Sequence, residues 1–223
     1  MLIVEELHML LLRPDGRVES AVSGNRLYGE VAAVLVDLAL HGRISFSHEK
    51  HPTVDIVSTE PTGNPILDTT LQRLVPMRGK RLQSLVVSPK LDPLEVVVES
   101  LVVQGVLVRG ERGFFGWGSE RTPESDPAPE LVLRSRLAAV LAGTGAPTQA
   151  DLSLLSILQN LNAARAVLRA ECGDISARDL KKRIEQLTAG SPAGDAVAKA
   201  VNDAIAAAMV AIMTPVIVAA TIT

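Results

Sequence analysis

The chain has 223 residues, 47% of them apolar, and a formal charge of −3. That length holds one large domain or two small ones, with enough Leu, Val and Ala to fill an aliphatic core. The negative balance excludes a nucleic-acid protein driven by a strongly basic surface, and the single cysteine, Cys172, excludes an intrachain disulfide or a cysteine-based zinc cluster.

In chain order, Ile3 to Leu12 is an amphipathic helix with Ile3, Leu7, Leu10 and Leu11 on one face, stopped by Pro14-Asp15-Gly16. Arg17 to Ala21 suits a short strand. Leu27 to His41 is a strong helix with Val31, Val34, Leu35 and Leu38 at helical spacing and Gly42 as its stop. Arg43–Ser47 and Thr53–Val57 alternate like the strands of a hairpin. Pro61 to Pro65 is a rigid turn, and Ile66 to Leu74 a helix that Pro76 ends. Arg81 to Val87 is a short helix. Asp92 and Pro93 cap and open another, which runs to about Gln104 and stops at Gly105.

Val106–Arg109 and Phe114–Gly118 read as a second hairpin. It carries three of the chain's five aromatic residues, Phe114, Phe115 and Trp117, between glycines. Rings on a small tip serve a membrane interface, a partner or a second copy of the chain; the alternative is a hairpin folded back to plug the core. Thr122 to Glu130, rich in proline and acids, reads as an exposed loop. From Leu131 onward the pattern is helical: Leu131–Leu141, Gln149–Leu158, Leu161–Glu171, Ala177–Leu187 and Ser191 to at least Met213. Ala204 to Thr223 is twenty residues without charge, long enough for a membrane span. Pro215 mid-segment, the alanine-rich run before it and the lack of a basic flank favour a buried core helix, kinked or ended near Pro215. Met1 leads straight into Leu-Ile-Val-Glu-Glu, so no secretory leader is expected.

Charge is unevenly spread. Residues 61–90 carry five basic side chains (Arg73, Arg78, Lys80, Arg81, Lys90) and one acidic, Asp68, while 1–60 carry five basic and nine acidic and 91–130 three and eight. This cationic island is either a solvated face or a contact for phosphate or anionic lipid. Arg73, Arg78, Lys80 and Arg81 are the lipid-binding candidates.

Catalytic chemistry finds little support. His48 and His51 form an H-x-x-H pair on a loop, with no third ligand close in sequence; exposed loop histidines explain it more simply than a metal. Glu171 beside Cys172 works against a thiolate nucleophile. No nucleophile elbow, phosphate-binding glycine loop or dinucleotide fingerprint is present. Asp37, mid-helix among Leu and Val, suits a structural hydrogen bond or an ion pair with Arg43. The chain is expected to be no enzyme and to hold no cofactor or metal.

Four stretches in order carry a family resemblance: Glu5–Leu12, Leu35-Val-Asp-Leu-Ala-Leu-His-Gly-Arg-Ile44, Pro61-Thr-Gly-Asn-Pro-Ile-Leu-Asp68, and Leu101–Leu107 leading into the aromatic hairpin. Together they resemble the Golgi phosphoprotein 3 family, in a form similar to its bacterial, actinobacterial-type members. The resemblance implies a mainly α single domain over 1–223: a helical bundle core wrapped by amphipathic helices, with small β-hairpins including a projecting aromatic one. It implies peripheral membrane binding, recognition of phosphatidylinositol 4-phosphate, an adaptor role, and a hairpin used for membrane contact and self-association. The positions where the family places its headgroup tryptophan and arginines fall here on Val22, Val31, Leu91 and Leu94, which offer no forked cation for a phosphate.

The expected function is thus a peripheral, phosphoinositide- or anionic-lipid-binding adaptor, in the cytoplasm or at the membrane periphery. Its partners would be an anionic headgroup and a second copy through the hairpin, with no nucleic acid. The alternatives are a soluble oligomerising protein that has lost lipid binding, or an accessory protein of a bacterial biosynthetic pathway.

Overall fold

The computed structural model of the chain describes residues 1–47, 49, 51–110, 121–189 and 196–213. It is mostly helical, with one two-stranded sheet among the described residues, as the mainly α reading expects.

Helix α1 (Ile3–Leu11) lies wholly inside, every residue buried. Leucine at its N-cap supplies no oxygen for the free N–H groups of the first turn. The Glu5 carboxylate therefore accepts from the Leu2 N–H at 2.8 Å, and Asp37 accepts from the Ile3 and Val4 N–H groups at 3.0 Å each. Asp37 belongs to α2 (Arg26–Leu40), so one helix caps another across the core. Of the two expected roles for Asp37, the structural hydrogen bond is the one observed. Arg43 instead donates to the Pro61 carbonyl at 3.3 Å.

Strands β1 (Ile44–Phe46) and β2 (Val54–Ile56) pair antiparallel with Ser45 opposite Asp55. Asn64 accepts from the Ile66 N–H at 2.9 Å and opens α3 (Pro65–Leu74). The turn before it is held by Asp68, whose carboxylate accepts from the Thr62 N–H at 2.6 Å and the Thr62 hydroxyl at 2.7 Å. Then come α4 (Leu82–Val86) and α5 (Leu94–Val103), the latter ended at Gly105.

Three expectations need correction. Arg17–Ala21 forms no strand: only an isolated bridge joins Val18 to Leu12, and Ser20–Val22 is a single 3-10 turn. The loop expected to Glu130 ends earlier, because Asp126 accepts from the Ala128 N–H at 3.0 Å and starts α6 (Ala128–Ala142) with a proline in its first turn. Leu107–Gly110 pairs with Arg121–Glu124, while Phe114–Gly118, expected as the partner strand, lies outside the described residues. The Val108 N–H donates to the Pro123 carbonyl at 3.0 Å and the Gly110 N–H to the Arg121 carbonyl at 2.8 Å.

The third correction is the helix expected over Leu161–Glu171. Helix α7 (Gln149–Asn160) is ended by Leu161, and Asn162 turns left-handed at φ 57°. Beyond it the chain makes two single turns, α8 (Ala164–Val167) and α9 (Arg169–Cys172). Helix α10 (Ala177–Ala189) opens on Ser176, whose hydroxyl accepts from the Asp179 N–H at 3.1 Å.

Helix α11 (Ala196–Met213) buries Ala204, Ile205, Ala208 and Met209 in the main core, against α7, α4 and α2. The expected core helix is therefore present as far as Met213, and Pro215 lies outside the described residues. No helix among the described residues is long and apolar enough to cross a membrane. The core is almost entirely aliphatic; of the described rings, Tyr28 and Phe46 pack only partly buried against it. Arg136 ties three helices together, pairing with Asp151 of α7 at 2.6 Å and Glu6 of α1 at 2.8 Å.

Candidate functional site

The cationic island divides. After α3, the chain turns back along β2. The Val54 N–H donates to the Lys80 carbonyl at 3.1 Å, the Gly79 N–H to the Val54 carbonyl at 2.9 Å, and the Leu82 N–H to the Pro52 carbonyl at 2.7 Å. Residues 79–82 thus form a third, outer strand-like edge on the hairpin. Arg78, Lys80 and Arg81 lie exposed along it, and none of the three side chains has a hydrogen bond or ion pair among the described residues. Backbone pairing fixes the edge while the charges stay in water. Arg78 shares a shallow concavity with Asp55, Glu60 and the exposed Val57.

Arg73 is placed differently. It is half-buried at the end of α3, and its guanidinium donates to the Asp92 carbonyl oxygen at 2.9 Å. It holds the start of α5 instead of joining the exposed edge.

Phe114, Phe115 and Trp117 lie outside the described residues, as does His48. The base from which the aromatic segment springs is described. Leu107 stands opposite Glu124, and the 13–17 turn packs on Thr122 and Pro123. A side chain at Gly16 would come within 2.5 Å of this backbone, and its φ of 75° is itself a glycine conformation. Close to the base in sequence, Val103, Val108, Leu131 and Val132 are exposed aliphatics. Glu124 and Glu130 share a small pocket there, and burial followed by the neighbouring Glu130 carboxyl raises the Glu124 pKa.

A buried polar chain that sequence reasoning missed runs from α1 to α5. His8 pairs with Glu30 at 2.8 Å; Glu30 pairs with Arg26; Arg26 forks onto Asp92, Nη2 to Oδ2 at 2.7 Å and Nη1 to Oδ1 at 3.1 Å. Because Glu30 is an acceptor, the His8 ring donates through Nδ1, leaving a buried Nε2 without a partner among the described residues. Partial burial pushes the Asp92 carboxyl up, but the Arg26 fork, the Leu94 N–H and the charges of Arg26 and Arg73 outweigh it and hold the carboxyl below its ordinary range. The sequence signal available was Arg26 and Glu30 at i, i+4 on a helix, a spacing that puts the two side chains together.

Val22, Val31 and Leu91 are fully buried core residues and Leu94 is half-buried. The nearby Arg26 is occupied by two carboxylates. Among the described residues, no group of three or more His, Cys, Asp or Glu could hold a metal, and the Cys172 thiol is pushed up by burial.

Comparison with curated proteins gave no match. The family model described as Golgi phosphoprotein 3 (GPP34) matches residues 3–207, from the start of α1 into α11. That span takes in the cationic edge, the hairpin base and the buried polar chain, and the chain belongs to the Golgi phosphoprotein 3 family.

Proposed function

We propose that this chain is a non-catalytic peripheral membrane protein that docks on anionic lipid through Arg78, Lys80 and Arg81 and sets Phe114, Phe115 and Trp117 into the interface. Family membership supports a lipid or adaptor role at the level of the family. The observation that carries the choice of surface is three exposed cations, without a partner among the described residues, on a backbone-braced edge of an otherwise acidic chain.

Magnitudes decide what the edge does alone. Each cation near an anionic surface contributes about 1 kcal/mol, so three give only weak, salt-sensitive binding. Inserting an aromatic side chain adds roughly 1.5–3 kcal/mol, and the two together reach stable docking. With aliphatic residues at Val22, Val31 and Leu91, recognition is of charge density and not of a particular phosphoinositide. Co-sedimentation with phosphatidylserine vesicles at low salt tests this: the wild-type chain pellets, Arg81→Glu and Trp117→Ala each weaken pelleting several-fold, and phosphatidylinositol 4-phosphate at equal charge gives no advantage. A wild-type chain that stays in the supernatant, or variants that pellet unchanged, would refute it.

A second reading, self-association through the hairpin, is favoured by the exposed Val103, Val108, Leu131 and Val132 near its base. Light scattering on the wild type and on a chain lacking 110–118 separates the two. A dimer mass that falls to the monomer on deletion supports association, and a monomer in both eliminates it.

A further inference from the structure

Asp92 sits at the meeting point of donors from three helices. The Arg26 guanidinium, on the first turn of α2, presents two nitrogens to its two oxygens at 2.7 and 3.1 Å. The Leu94 N–H, opening α5, adds a third bond to Oδ1 at 3.1 Å. Arg73, from the end of α3, grips the Asp92 carbonyl at 2.9 Å and lends its charge. A planar fork and a backbone N–H, with a second guanidinium charge close by, form a setting suited to a small oxyanion. Here its occupant is a side chain of the chain itself.

The occupant is also reachable. The Arg26 side chain is only 15% exposed, but that of Asp92 is 31% exposed, so the carboxylate lies on the solvent side of the fork. Behind it, Glu30 is completely buried against the other flank of Arg26 and backed by His8. Arg26 and Arg73 against Glu30 and Asp92 sum to zero charge. Without Asp92 the same place carries one uncompensated, mostly desolvated cation.

We infer that Asp92 is a built-in anion: its carboxylate fills an oxyanion site made by the Arg26 fork and the Leu94 N–H in the field of Arg73, and a phosphate group enters only when Asp92 is displaced. The contact is self-inhibiting. A tethered carboxylate competes at an effective concentration in the millimolar range or above, so dilute phosphate does not dislodge it. This latent site is separate from the exposed edge at Lys80 and Arg81, and neither depends on the other.

Calorimetric titration with inorganic phosphate, at constant ionic strength and with the full chain, tests the inference. The wild type takes up no phosphate at about millimolar concentration. Asp92→Ala binds it at least ~10-fold more tightly, and adding Arg26→Met to that variant abolishes the gain. Asp92→Asn keeps a side-chain acceptor for the Leu94 N–H while removing the charge, and it decides the matter if the alanine variant does not fold. A parallel arm uses vesicles carrying phosphatidic acid, which presents the same phosphate monoester on a lipid. A gain in either arm supports the inference and identifies the source admitted. Folded Asp92 variants that gain in neither arm, a wild type that already binds as tightly, or a gain that survives Arg26→Met would each overturn it.

Discussion

Charged side chains in this core are held by specific partners, and their loss is costly in proportion to what remains behind. Removing Arg136 leaves Asp151, fully buried, and Glu6, nearly so, without their cation. Arg136→Ala is expected to destabilise by about 2–4 kcal/mol, below the figure for a fully buried pair because Arg136 itself is a third exposed. Urea denaturation checks this, and Asp151→Asn in the same background should recover part of the loss. Asp37 gives a pH signature of opposite sense to ordinary paired acids. Burial pushes its pKa up to about 7 despite the two N–H groups it accepts from. The folded state then holds a proton that the unfolded state releases near pH ~4, so this contribution is intact below that pH and lost as pH rises through about 7. Asp92 and Asp68, both lowered, act the other way, and their contributions are lost in acid. Measured between pH ~4 and ~7, stability should fall less steeply with rising pH in Asp37→Asn than in the wild type; identical slopes would show that Asp37 does not titrate there.

At the scale of elements, the base of the aromatic segment is braced from outside its own strands. The turn through Gly16 packs on Thr122 and Pro123. Gly16→Ala forces an unfavourable φ and drives a methyl group against backbone that cannot rotate away, so a loss of about 2–3 kcal/mol is expected in chemical denaturation. The proposed docking predicts weaker vesicle binding by that variant as well, since the aromatic segment is joined in the chain to this base. Elements whose ends are written in local chemistry were legible in the sequence: α2 with Gly42, α3 with Asn64 and Pro65, and α5 with Asp92 and Gly105. Elements set by tertiary contact were not. The Leu and Ala pattern continues through 161–171, and only Asn162, a residue tolerant of left-handed backbone, marks where α7 stops. The cap that Asp37 supplies to α1 joins residues more than thirty positions apart, and no local motif announces it. Of the site residues, Lys80 and Arg81 were legible as a charge cluster. The commitment of Arg73 to a distant carbonyl was not, because charge runs carry no record of who is already paired.

For the whole molecule, an acidic chain must approach an anionic surface with one face. In the proposed docking, that face is the cationic edge on the small sheet together with the base of the aromatic segment, while the buried polar chain keeps Arg26 and Asp92 turned toward each other. Reversing Arg78, Lys80 and Arg81 together to glutamate should abolish binding to phosphatidylserine vesicles while leaving thermal stability within about 1 kcal/mol, because these side chains are exposed and have no partner among the described residues. The chain contains a single tryptophan, Trp117, in the aromatic segment itself, so its fluorescence reports on that segment alone. On addition of phosphatidylserine vesicles at low salt, Trp117 emission should shift to the blue and be quenched by brominated lipid in the wild type, and do neither in the triple glutamate variant. Emission unchanged by vesicles in the wild type would contradict docking through this face.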